Sequence, residues 1–490
     1  MPGFCALHFT FFVLSPYTPS VHRSSQLPFP PGARVHLIGI GGIGMSAIAQ
    51  WLKTLGVRVT GSDRASSDIV TWLQSLEIPV AVETEDAILP EDADALIYSD
   101  AVPLENSARQ EARRRGIHEY AYPEALGMLS APYKTVAISG SHGKSTTTAL
   151  VALMLTAGGL DPTAVIGTRV PGLKNSNFLQ GGGEIAVIEA DEYRGHCLHL
   201  RPAVSVITTT DYDHVDAFPT IEAYRDVYRK FIDKTLPTGL LVLHASDPCT
   251  PEFTRLKEQR SLVTFGITDV PENGPTVAAT PPVLRERRQE FTVFKDGKTY
   301  GTFTIPLPGE HLVLDALAAL AAVSPWNIPV GVLQKVLAEF TGTWRRFEHV
   351  GLFHGAPVIS DYAHHPTELR AVVTATKAWY PNRRLLLVFQ PHQKARTRAF
   401  ADKFLDVLTL RTPDVLIVSE VFDVTGREEA GDTTSTQPWV ALLKERGTTV
   451  TYAPTLEAAE QEIRAQATPD DVILIVGAGT IDRVARRIVS

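Results

Sequence analysis

Two glycine-rich turns, each caught between an apolar strand and a helix, constrain this chain more than any other feature. Residues 39–44 read Gly-Ile-Gly-Gly-Ile-Gly after the strand-like run Arg34–Ile40 and before a helical pattern over Met45–Leu55. Residues 140–145 read Gly-Ser-His-Gly-Lys-Ser after Thr135–Ile138 and before a helical pattern over Ser145–Ala157. A strand that feeds a helix through a glycine turn builds a parallel sheet covered by helices. Further strand-like runs lie at Val57–Thr60 and Ala95–Tyr98, then at Ile185–Ile188, Val204–Thr208 and Leu240–Leu243. A third block opens near Trp344, with runs at Leu385–Phe389, Val415–Val418 and Val472–Val476. The 490 residues and 44% hydrophobic content leave room for about three α/β domains in series, each with its own core. The Pro-, Thr- and Gly-rich stretch Asp269–Pro282 reads as a surface loop of the second block.

The remaining composition works by exclusion. With 46 Lys+Arg against 54 Asp+Glu the net charge is −8, which argues against a general nucleic-acid or anionic-membrane binder. The three cysteines, Cys5, Cys197 and Cys249, are far apart and suit a reducing compartment better than a disulfide scaffold. No apolar run approaches the length of a spanning helix, and the run Phe4–Leu14 lacks a preceding basic segment. Residues 1–32 read as a poorly ordered extension with Pro and Ser breakers.

Both turns suit phosphate. Glycines let backbone N–H groups close on an anion, and the helix N-terminus faces its charge. In the first turn, Gly39, Gly41, Gly42 and Gly44 with Asp63 at the end of the next strand predict a dinucleotide such as NAD when taken alone. In the second, Lys144 is placed to reach a transferring phosphate and Ser145 to hold Mg²⁺, although the common P-loop glycine is replaced by Ile138. Acidic clusters follow two strands of the same block: Glu189-Ala-Asp-Glu192 and Asp211-Tyr-Asp213-His214-Val-Asp216. Carboxylates at strand ends suit Mg²⁺, and oxygen chemistry alone favours Glu189 and an Asp over His214. The third block carries Arg345-Arg346-Phe-Glu348, Asp361-Tyr362-Ala-His364-His365-Pro-Thr-Glu368 and Gln390-Pro-His392-Gln-Lys394-Ala-Arg396. Such a set suits a domain that closes over ATP held by the second block.

Together these residues resemble the Mur ligase family over essentially all of 33–488, and within it the alanine-adding branch. Gly140–Ser145 fits the family's own short phosphate loop, and Gly477-Ala-Gly479 fits as well. The resemblance implies an α/β fold of three domains in series: a Rossmann-like UDP-binding domain (33–131), a P-loop ATPase-type central domain (132–343) and a Rossmann-like C-terminal amino-acid-binding domain (344–490). It implies an ADP-forming ligase of the cytoplasm that joins L-alanine to the lactyl carboxylate of UDP-N-acetylmuramate through an acyl phosphate, acting as monomer or homodimer without nucleic-acid or integral-membrane partners. By resemblance Gly39, Gly41, Gly42, Gly44, Met45, Ser46 and Asp63 hold the UDP-sugar rather than NAD. Gly140, Ser141, His142, Gly143, Lys144, Ser145, Thr146, His311, Asp315, Arg346 and Asp361 hold ATP. Ser145, Glu189 and His214 hold Mg²⁺, Lys144, His214 and Arg346 serve catalysis, and His364, His392 and Arg396 line the amino-acid side.

The chain departs from the family at several positions. His311-Leu312-Val-Leu-Asp315 stands where the family has His-Asn-x-x-Asn near the adenine; Asp315 would accept from the adenine amino group but lacks the amide donor. Thr209, Gln393 and Thr480 replace Asn, Arg and Asn or Asp. A tripeptide-recycling ligase on the same UDP-sugar is the nearest alternative. An NAD-dependent oxidoreductase leaves Lys144, Glu189 and His214 unexplained, and a non-catalytic nucleotide-binding regulator is suggested only by the departures.

Overall fold

A computed structural model describes residues 29–82, 88–256, 260–271, 274–410, 413–423 and 431–490. The run Phe4–Leu14 and Cys5 lie outside them. Among the described residues the strands form three sheets, met one after another along the chain. The first is wholly parallel, in the order Val80–Val82, Arg58–Asp63, Arg34–Ile38, Ala95–Tyr98, His118–Ala121. Chain order reverses at Arg34–Ile38, so a crevice opens beyond its carboxyl end, and Gly39–Gly44 occupies that end. Helix Ile43–Thr54 packs its face of Ile48, Trp51 and Leu52 into the core.

The second sheet has the same logic at its centre. Parallel strands Leu240–His244, Val204–Ile207, Lys134–Ser139, Ile185–Glu189 and Thr163–Val170 lie side by side in that order. Lys134–Ser139 is again the central strand from which a glycine turn departs. Helices Lys144–Ala157 and Glu310–Ala322 pack together over one face; the buried Ala316, Ala318, Ala319, Ala321 and Ala322 leave room for their close approach. The stretch expected to be a surface loop contains a strand, Val277–Ala279, buried along its length. It pairs with Ser261–Ile267 in parallel and with Arg288–Lys295 in antiparallel. Pro275, Pro281 and Pro282 flank this strand instead of interrupting it, and burial between two partners overrides its poor composition.

The third sheet runs Glu348–Phe353, Ala356–Asp361, Asp471–Val476, Arg384–Phe389, Val415–Ser419, Val450–Ala453, parallel except for its first strand. The expected extension requires one correction. Phe29 is only 3% exposed, sits in the first core and meets the Tyr120 ring edge-on at 5.5 Å. Gly32 N–H donates to Gly56 O at 2.8 Å, so residues 29–32 pack on the first domain. Cys197 and Cys249 are buried free thiols, and among the described residues no helix is long and apolar enough to cross a membrane.

Candidate active site

The phosphate loop is shaped by two positive backbone angles, Gly140 at φ +130° and Gly143 at φ +79°. A Cβ on Gly140 would stand 2.1 Å from Thr208 Oγ1, and one on Gly143 2.1 Å from Asp315 Oδ1. Both sites therefore require glycine for space as well as conformation. Helix Lys144–Ala157 starts directly after Gly143 with no side-chain cap, which leaves its first N–H groups for an anion. Ser141 departs from expectation: its hydroxyl turns inward to Tyr224 Oη at 2.8 Å and to the Thr209 carbonyl at 3.3 Å. Only its backbone remains for a phosphate.

Lys144 Nζ donates to Gly140 O at 2.6 Å and to both oxygens of Glu192 at 3.0 and 2.9 Å. Glu192 is fully buried, and His214 Nε2 lies 3.3 Å from its Oε1. Burial alone would push Lys144 towards neutrality; Glu192 and Asp191 outweigh it and hold the ammonium charged. His214, in the left-handed region at φ +52°, is also pulled down by burial and raised more strongly by Asp213 and Glu192. The expected metal set divides in two. Ser145 Oγ donates to Glu189 Oε1 at 2.9 Å, and Gly167 N–H to Glu189 Oε2 at 2.6 Å. His214 clusters instead with Asp191 and Glu192, one ligand atom of each lying within 4.8 Å of the others. The acid nearest His214 is thus Glu192, three residues beyond the expected Glu189. The donors fit a hard cation: Ser145 and Glu189 offer one set of oxygens, Asp191 and Glu192 another, and His214 Nδ1 is buried with no hydrogen-bond partner among the described residues.

Across from the loop, the third domain completes a cavity of about 260 Å³ lined by His142, Gly143, Ser145, Thr146, His311, Asp315, Arg346, Asp361 and Glu368, among others. Here Glu368, which the sequence offered only as part of a cluster, does most of the organising. Its carboxylate lies 3.3 Å from His142 Nδ1 and 3.4 Å from Arg346 Nη1, and accepts the His364 N–H at 2.9 Å. Glu368 is also the third helical residue of a capping box on His365, a signal present in the sequence. His142 meets Asp211 Oδ2 at 3.1 Å, and Thr367 donates to the same oxygen at 2.6 Å from the other domain. Burial lowers His142, but Asp211 and Glu368 outweigh it and raise it to about 9. Asp361 borders the cavity, yet both its oxygens are spent on backbone, accepting from Phe347 N–H at 2.7 Å and Ala363 N–H at 2.8 Å.

The residues expected on the amino-acid side, His364, His392 and Arg396, do not act as one open group. Arg396 is paired bidentately with Asp213, at 2.7 and 3.2 Å, both side chains being 3% exposed. It therefore bolts the third domain to the residue preceding His214, and is not an open cation. His364 and His392 do come together, with ring centroids 5.8 Å apart, and His392 Nδ1 lies 3.4 Å from Arg396 Nη1. Burial lowers His364 to about 4. Arg345 reaches the Gly477-Ala-Gly479 turn, donating to the carbonyls of Gly477 and, at 3.0 Å, Gly479.

In the first domain Gly41 N–H donates to Asp63 Oδ2 at 2.8 Å, so Asp63 holds the turn in place. Met45 and Ser46, expected beside the UDP-sugar, are both buried. Ser46 accepts from Asn177 Nδ2 at 3.2 Å, and Asn177 also donates to Ile43 O at 2.6 Å, which joins this helix to the central domain. Gly39 takes φ +73°, and Gly44 lies under Tyr122, whose ring a Cβ there would meet at 2.6 Å.

Comparison with known proteins agrees with this architecture. Residues 34–134 match the model "Mur ligase family, catalytic domain", 138–323 "Mur ligase middle domain" and 345–479 "Mur ligase, glutamate ligase domain". The UDP-N-acetylmuramate–L-alanine ligase of Aquifex aeolicus is 36% identical over 451 residues, covering 92% of this chain and 96% of that protein. The protein of that name from Salinibacter ruber is 36% identical over 460 residues, covering 93% and 94%. The crystal structure of UDP-N-acetylmuramate-alanine ligase from Thermotoga maritima superposes with a TM-score of 0.79 at 29% identity, over 93% of this chain and 98% of that one. A murein peptide ligase from Psychrobacter arcticus shares the fold, with a TM-score of 0.70 at 21% identity over 93% and 98%. With all three domains matched in order around one interdomain cavity, the chain belongs to the Mur ligase family.

Proposed function

We propose that this chain is an ATP-dependent, ADP-forming ligase that joins L-alanine to the lactyl carboxylate of UDP-N-acetylmuramate, a cytoplasmic step of peptidoglycan precursor synthesis, acting as a monomer or homodimer. Its curated relatives carry that activity in their names. The observation that carries the reading is the cavity between the Gly140–Ser145 loop and Arg346 of the third domain, which suits a nucleotide triphosphate gripped from two sides. The γ-phosphate passes to the carboxylate, giving an acyl phosphate and ADP. The alanine amine attacks the acyl carbon, and phosphate leaves from the tetrahedral intermediate. Lys144 and Arg346 neutralise the charge that develops on the transferring group. Glu192 keeps Lys144 charged and aimed, and the candidates to take the ammonium proton are His214, in its neutral form, and the carboxylates Asp191 and Glu192. Mg²⁺, which Ser145 and Glu189 would hold with the His214 cluster beside them, would supply charge neutralisation for the phosphates. The first-domain turn would take the UDP pyrophosphate on the N-terminus of helix Ile43–Thr54.

The test is ADP release with UDP-N-acetylmuramate and, separately, L-alanine, glycine, L-serine and the L-alanyl-γ-D-glutamyl-meso-diaminopimelate tripeptide. Turnover with a small amino acid supports the reading. Turnover with the tripeptide alone would make the chain a recycling ligase, and none with any acceptor would remove the ligase assignment.

A further inference from the structure

The buried acids around the nucleotide cavity each meet a cation or a backbone N–H, except one that meets only a hydroxyl. Glu192 has Lys144, Asp213 has Arg396, and Glu368 has His142 and Arg346. Asp361 and Glu189 accept backbone N–H groups. Asp315 lines the same cavity and is 7% exposed, yet among the described residues no Lys, Arg or His nitrogen lies within salt-bridge distance of it. Its neighbours are the Thr147 hydroxyl and the phosphate loop itself, where Oδ1 lies against Gly143. It also shares a helix face with His311, one turn earlier, which burial lowers to about 4.

An ionised carboxylate at this spot would be buried with no cation in contact, only Arg346 and His142 at longer range, and would face a polyphosphate. A neutral carboxylic acid carries one O–H donor and one carbonyl acceptor, the same pair that a side-chain amide offers. Resting on the assignment of ATP to this cavity, we propose that Asp315 binds the nucleotide as a neutral carboxylic acid and donates its proton as a hydrogen bond to it. Aspartate at this position then supplies the donor that its replacement of the family's Asn removes, on condition that it stays protonated. Burial raises Asp315 to about 8, against the pull of Arg346 and His142. Nucleotide affinity should therefore fall as pH climbs through about 8. The titratable groups that line the cavity with Asp315 are His142, Arg346, Glu368, Asp361, His244 and, on its own helix, His311, of which His142, raised to about 9, also titrates in this window.

The experiment compares wild type with Asp315→Asn, which keeps shape, donor and acceptor but cannot ionise. With the other substrates saturating, the wild-type KM for ATP should rise about tenfold between about pH 7 and pH 9, while Asp315→Asn stays flat. Calorimetric titration with a non-hydrolysable ATP analogue in two buffers of different ionisation heat, near pH 8.5, should show net proton uptake by wild type and little by the variant. Uptake or a KM rise that survives in Asp315→Asn would move the effect to His142 and overturn the proposal. If the variant fails to fold, absence of proton uptake in wild type would overturn it alone. Uptake without any UDP-sugar-dependent turnover at pH 7 would uphold the proposal and reject the ligase reading.

Discussion

Replacing Arg396 with Met should loosen the third domain by a large and calculable amount. The guanidinium makes two charge-assisted bonds to Asp213, at 2.7 and 3.2 Å, and both side chains are 3% exposed. Met keeps much of the aliphatic stem but strands a carboxylate left with the His214 N–H, at 2.7 Å, as its donor among the described residues. Breaking one side of a buried pair costs about 3–5 kcal/mol, because the surviving charge has no water to return to. For a domain of this size that is a fall in melting temperature on the order of 10 °C. The Asp213→Asn single variant strands the opposite charge and should cost a similar amount. The double variant should recover at least ~2 kcal/mol of the summed loss, since neither charge is left. Thermal melts of all four proteins, with hydrogen exchange at helix Lys394–Ala399, measure the cycle. The KM for L-alanine in the same set shows whether Arg396 also meets the amino acid. A fall of less than about 2 °C in Arg396→Met, with exchange unchanged, would refute the bolt.

Lys144→Ala should lower turnover by at least ~10³-fold, and because fully buried Glu192 then loses its cation it should also lower the melting temperature; turnover within tenfold of wild type would sink its assignment. Gly41→Val should raise the KM for UDP-N-acetylmuramate well above any change for ATP, since its Cβ would stand 2.8 Å from Asp63 Oδ2; equal changes in both would reject the first turn as the UDP site. A chain beginning at residue 29 should keep full activity, whereas one beginning at residue 33 should lose about 3 kcal/mol with the buried Phe29 ring, as read by denaturant melts. His142 is raised from 6.5 to about 9 in the fold, so its contribution is complete below about 6.5 and is lost as pH rises through about 9; domain closure, followed by small-angle scattering, should weaken over that window in wild type and not in His142→Gln.

The two glycine turns were legible because all their information is local: strand, glycines and helix start lie within a dozen residues. The same is true of Lys144 and Ser145, whose place follows from the helix start. What the sequence hid is contact at long range. Arg396 and Asp213 are 183 positions apart, and no spacing rule links them. Arg345 and Gly477 are 132 apart, so the turn was recognisable but its holder was not. Glu192 was obscured for a different reason: the chain leaves regular geometry after Glu189, and no periodicity says which of the acids turns towards Lys144. Met45 and Ser46 stand inside a helix start that suits a ligand, but the central domain's Asn177 claims that face. Val277–Ala279 failed as a strand by composition and formed one because its neighbours supply the ladder.

The position of Asp471–Val476 bears on how the chain is made. This strand lies between Ala356–Asp361 and Arg384–Phe389, pairing with both, although more than eighty residues of synthesis separate it from the nearer one. As the polypeptide leaves the ribosome, the first two sheets can close behind it, but the third waits with a gap at its centre and two open ladder edges. Until residue 476 emerges, the surface that carries Arg346 has no finished sheet beneath it. A nascent chain therefore acquires its phosphate loop long before the half of the site that closes over it.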